Sequence, residues 1–161
     1  MSVPLLHPAE RGAPAPWYVI VFRAVAALAA LALLGVFFYY AFRLTLTPVR
    51  DHGQAGGNTD PGRSLRFYLD RPPSEAVRQL GGNLALLAPL GVLLPLVTAG
   101  LRGPVRLILL TGLISLAIEA VQGLFVIGRA FDVDDVILNV TGVVLAYLLL
   151  GRYLSRRVHG V

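Results

Sequence analysis

A chain of 161 residues that is 56% hydrophobic and only 14% charged lies well below the roughly 25% charge of a soluble domain, and it is too short for more than one domain. It has no cysteine, so disulfides and thiol chemistry are excluded. The net charge of +5 could serve nucleic acid, but in so apolar a chain basic residues mark the cytoplasmic side of a membrane, and no nucleic-acid partner is expected.

Residues 1–16 are Pro-rich and polar, with Arg11 as their one basic residue. They make a poor signal peptide and are expected as a cytoplasmic N-terminal segment. The first span is Trp17 to Phe42, long enough to cross with tilt. Trp17 and Tyr18 at one end and Tyr39 and Tyr40 at the other form interfacial belts. Arg23 lies inside this span and either snorkels to the near interface or pairs with an acid of the bundle. A long connection, 43–79, follows. Within it Arg63 to Asp70 reads as a short interfacial helix, and Ser74-Glu75 after Pro72-Pro73 as an N-cap with an acid in the first turn.

The second span, about Leu80 to Ala99, contains Pro89 and Pro95. These free the carbonyls of Ala85 and Gly91 and predict kinks. The third span is about Pro104 to Ile127 and the fourth about Val133 to Leu150. Residues 151–161, with Arg152, Arg156 and Arg157, are expected as a basic cytoplasmic tail. The fold class is therefore all-α: an integral membrane bundle of four transmembrane helices, 17–150, with a long loop after the first.

Four spans put both termini on one side. With the termini cytoplasmic, Arg11, Arg102, Arg106, Arg152, Arg156 and Arg157 lie inside, opposed by Glu10 alone. The expected location is the cell membrane, multi-pass, in contact with the lipid bilayer and with both termini cytoplasmic. Asn83, Glu119 and the acids at the start of the fourth span then share one depth near the outer face.

Two polar stripes carry the functional signal. Thr111, Ser115, Glu119 and Gln122 fall on one face of the third span, and Asp132, Asp135, Asn139 and Gly142 on one face of the fourth. Gly142 would admit a neighbouring backbone. An ionisable residue inside a span costs at least ~2.5 kcal/mol, so Glu119 should face the bundle and have a partner. Arg129, the basic residue of the connection, is the expected partner of Asp132, Asp135 or Glu119. The ligand-binding candidates are Asn83, Glu119, Gln122, Arg129, Asp132, Asp135 and Asn139. The alternative is a structural knot that fixes helix packing.

Asp132, Asp134 and Asp135 have carboxylates suited to Ca²⁺ or Mg²⁺. They lack the spacing and glycine of an EF-hand loop, and on a helix Asp134 would point away from the other two, so neither metal nor cofactor is expected. Nucleophilic catalysis has no motif, and His7, His52 and His159 lie outside the spans. Phosphate-loop readings fail, and transport by four helices without inverted repeats would need an oligomer.

Asn83 with the following LALLAPLGVLLP, SLAIEAVQ with Glu119 and Gln122, and RAFDVDDVILNVTG with Arg129, Asp132, Asp135, Asn139 and Gly142 together resemble the VanZ-like membrane protein family. Thr45-Leu46-Thr47-Pro48 is similar to that family's Thr-Leu-x-Pro element. The resemblance covers about residues 17–150. It implies the membrane architecture and a link to low-level resistance to the glycopeptide teicoplanin, whose target lies outside the membrane. An outward site for an envelope glycolipid or glycopeptide would fit that link. The alternative is an intramembrane enzyme acting on a lipid-linked envelope substrate, with Glu119 and Asp135 as acid and base.

Overall fold

The computed structural model describes residues 16–48 and 57–159. The segment up to residue 15, with Arg11, and the stretch containing His52 and most of the Gly-rich patch lie outside the described residues. The elements in order are α1 (Trp17–Thr45), α2 (Arg63–Leu69), α3 (Pro73–Leu86), α4 (Ala88–Val97), α5 (Pro104–Phe125), α6 (Val133–Ala146) and α7 (Arg152–His159). A 3₁₀ turn, Ala99–Leu101, precedes α5, and a π-helical stretch, Tyr147–Gly151, joins α6 to α7. Among the described residues there is no β-strand, only an isolated parallel bridge between Asn58 and Asp132.

Four helical stretches are long and apolar enough to cross a membrane: Trp17–Thr45, Pro73–Val97, Pro104–Phe125 and Val133–His159. The chain is an all-α, multi-pass membrane bundle. From Trp17 to Tyr39 the rise is about 33 Å, close to the ~30 Å hydrocarbon core, and both belts are exposed.

The second span differs in detail from its sequence reading. Its helix starts at Pro73, ahead of the apolar part at Leu80 as the Pro72-Pro73-Ser74-Glu75 signal predicts, but the N-cap is Pro72 rather than Ser74. Proline at the first helical position has no N–H to leave unsatisfied and a backbone angle already set for a helix. Pro89 does not kink a continuous helix. The helix breaks at Leu87 and restarts as α4 with Pro89 in its first turn. Pro95 does sit inside α4.

The fourth span also runs further than its apolar part. The helix continues through the π-helical stretch to His159, so the residues read as a tail are helical as far as 159. Ser155 and Val158 are buried, and Arg152, Arg156 and Arg157 are exposed. Arg23 reaches a backbone carbonyl rather than an acid of the bundle. Its Nη2 donates to the His159 carbonyl at 3.0 Å, a cation at a helix C-terminus where the dipole favours one.

Glycine sets how closely the second and fourth spans pack. A Cβ at Gly142 would overlap the Leu84 carbonyl, and one at Gly91 the Val143 carbonyl. A Cβ at Gly151 would overlap the Gly91 carbonyl, which Pro95 leaves without its helical donor. Leu34, Leu87, Leu90, Leu107, Val143 and Tyr147 form the apolar core beside this seam.

Candidate functional site

The site begins with the antiparallel hairpin of α5 and α6. The polar stripe of α5 is fully inside: Thr111, Ser115, Glu119 and Gln122 are all buried. On α6, Asn139 is 1% exposed and donates through Nδ2 to Ser115 Oγ at 3.0 Å. Its Oδ1 is buried without a partner among the described residues. One turn nearer the membrane face, Glu119 Oε2 accepts from the Asp132 backbone N–H at 3.0 Å. Asn83 comes in from α3 and donates to Asp135 Oδ1. The structure therefore brings Asn83, Glu119, Asp132, Asp135 and Asn139 to one end of the bundle.

The acids at the start of α6 divide into two kinds. Asp132 is not on the helix face. It is the N-cap, with extended backbone, and its Oδ1 accepts from the Asp134 N–H. Asn58 Nδ2 also donates to Oδ1 at 2.9 Å, and Ser64 Oγ donates to Oδ2. Asp134, which helical geometry had turned away from the site, is 4% exposed. It accepts from the backbone N–H groups of Gly62 at 2.6 Å, Ser64 at 2.8 Å and Leu65 at 3.3 Å. Around them Asn58 N–H donates to the Phe131 carbonyl and Val133 N–H to the Asn58 carbonyl. Asp132, Asp134 and Asn58 thus clamp the long loop and the start of α2 onto the N-terminus of α6.

Glu119 and Asp135 are different. Among the described residues each accepts one hydrogen bond, through one oxygen. Each retains acceptor capacity that no described residue uses. Tyr68 of α2, absent from the sequence reading, also lies within electrostatic reach of Asp135 and Asp132. Its phenol is raised above the ordinary value of 10.0, first by burial and then by these two carboxylates. Nothing in the period of α2 points at α6, so only the clamp through Asp134 reveals this neighbour.

Arg129 does not pair with an acid as expected. Its Nη2 donates to the Leu44 carbonyl at 2.6 Å, and Gln122 Nε2 donates to the Thr45 carbonyl at 2.8 Å. The cause is the end of α1. A helix leaves its last four carbonyls without intrahelical donors. Phe42 receives the Leu46 N–H, Arg43 the Thr47 hydroxyl, and Leu44 and Thr45 the two side chains from the hairpin. All four are satisfied. Pro48 after α1 is the signal that could have announced this need, because the helix must stop short of it. Arg129 Nε remains buried without a partner among the described residues.

Among the described residues, no three His, Cys, Asp or Glu side chains converge to hold a metal ion. A family model described as VanZ/LLP1 matches residues 25–154. The chain belongs to the VanZ/LLP1 family. The match takes in the α1 carboxyl end, the α3–α4 break, the hairpin and the clamp, so the polar end of this VanZ-like protein lies wholly within the shared region. None of the curated proteins or solved structures compared with the chain matches it.

Proposed function

We propose that this VanZ-like protein binds a cell-envelope ligand at the polar end of its bundle, through Glu119 and Asp135. The observation that carries the reading is the division among the acids. Asp132 and Asp134 have their oxygens filled by donors of the loop, α2 and the start of α6, whereas among the described residues Glu119 and Asp135 each use one oxygen. Carboxylates are costly inside a span, and open oxygens suit hydroxyl, amide or amine donors of a glycan or peptide head group. Asn83 orients Asp135, and the Asp132 backbone orients Glu119. Gln122, Arg129 and Asp132 support the site by holding α1 and the loop in place, and Asn139 lies beneath it with an open amide oxygen.

The polar end faces outward. Arg23, Arg102, Arg106, Arg152, Arg156 and Arg157 gather at the opposite end with no acid among the described residues there. That distribution supports a cytoplasmic basic end and cytoplasmic termini. A resistance role against teicoplanin supplies the phenotype to measure. In cells made dependent on this protein, Glu119→Gln and Asp135→Asn should keep wild-type membrane levels and lose the glycopeptide or envelope-stress phenotype. Retention of the phenotype in both variants would sink the reading.

The paired carboxylates also favour a second reading, acid–base catalysis on a lipid-linked envelope substrate. It requires turnover of such a substrate that both amide variants abolish. Stoichiometric binding without product supports the first reading over it.

A further inference from the structure

The corner between α2 and α3 is exposed, apolar and basic at once. Leu65, Phe67 and Leu69 of α2 and Val77 of α3 are exposed, Val77 by 72%. Asp134 pins α2 to the start of the fourth span, so these side chains are held at the level where that span leaves the membrane. Arg71 and Arg78 project from the same corner and are exposed. The Arg71 guanidinium lies 4.6 Å from the centre of the Phe67 ring rather than on a carboxylate. Both arginines lie within electrostatic reach of Tyr68, and so does Asp135. Tyr68 thus lies between the basic corner and Asp135.

We propose that Tyr68, Arg71 and Arg78 bind the phosphate of a membrane lipid, holding the rest of its head group against Asp135 and Glu119. The inference rests on the reading of those two carboxylates as a ligand site, and it adds the class of ligand: a phosphate-bearing lipid. Two guanidinium groups match phosphate oxygens through planar, charge-assisted hydrogen bonds, and the Tyr68 hydroxyl adds a donor. Leu65 and Leu69, one turn apart on one face of α2, lie along the acyl region. A free phosphate would leave those apolar side chains without a role, so the lipid is the occupant.

The test uses the full chain in detergent. Its unfolding midpoint is followed against dioctanoyl phosphatidylglycerol, dioctanoylglycerol and inorganic phosphate. Phosphatidylglycerol should stabilise the protein at concentrations at least about tenfold below those at which the other two act, a factor worth ~1.4 kcal/mol. The double variant Arg71→Gln/Arg78→Gln should need about tenfold more phosphatidylglycerol, and Tyr68→Phe should need more than wild type. Arg63→Gln/Arg66→Gln, a control on the same helix, should respond as wild type. Equal responses to inorganic phosphate and lipid would overturn the proposal, as would a wild-type response in the Arg71/Arg78 variant. So would an equal loss in the control, which would show diffuse charge attraction. Failure here leaves the role of Glu119 and Asp135 standing, because that role is read from the cellular phenotype of their own amide variants.

Discussion

Tyr68 reaches the carboxylates from outside the membrane-spanning helices, and its titration reports on them. Burial and the neighbouring Asp135 and Asp132 charges favour the neutral phenol in the fold. The folded protein therefore holds that proton more tightly than the unfolded chain, and this contribution to stability is lost as pH rises past the ordinary value of 10.0. The ultraviolet difference titration of wild type against Tyr68→Phe should place this phenol above that value. Asp135→Asn should bring it down, and an unmoved midpoint would remove Tyr68 from the neighbourhood of Asp135. Glu119, Asp135 and Asn139 were legible in the sequence because helical period puts them on facing stripes. Asp134 was not. Its donors are backbone groups of Gly62, Ser64 and Leu65, and no side-chain pattern encodes a backbone donor in a distant loop. Asp132 was misread for a related reason: the face argument assumed a helical residue, and an N-cap is extended.

At the scale of elements, the second and fourth spans depend on glycine and the first on the hairpin. Gly142 was read correctly as a point of close approach, and the approaching group is the Leu84 carbonyl. Backbone cannot move aside as a flexible side chain can. Gly142→Ala should lower stability by about 2–3 kcal/mol through overpacking, seen as a lower midpoint in detergent. A neutral outcome would mean that the two spans are free to separate. The four spans themselves were plain from hydropathy. Their ends were not, because apolar composition stops at Leu150 whereas helical hydrogen bonding continues to His159. Arg129 was placed with the acids on charge alone. The unsatisfied carbonyls at the end of α1 are as strong a demand on a buried donor as a carboxylate is, and they lie closer to it.

Across the whole molecule, the acids separate along the bundle, while the described arginines divide six to each end. The described acids all lie toward the end that carries the site, and the opposite end holds six arginines with no described acid. A reporter fused after Val161 should therefore be active only in the cytoplasm, and activity confined to the other side would reverse the proposed orientation. The central claim is that adjacent carboxylates at one end of this bundle have separate duties, two holding the fold and two left open for a ligand. The most direct measurement is a side-by-side thermal unfolding of Asp132→Asn, Asp134→Asn, Glu119→Gln and Asp135→Asn in one detergent. Asp134 accepts three backbone donors, and hydrogen bonds to a charged group contribute roughly 1.5–3 kcal/mol each. Asp134→Asn should therefore lose about 3 kcal/mol, with Asp132→Asn falling in the same direction. Glu119→Gln and Asp135→Asn should unfold at or above the wild-type midpoint, since each removes a charge from a span and keeps an acceptor. A drop in the Glu119 and Asp135 variants as large as that of Asp134→Asn would make all four carboxylates structural and contradict the account.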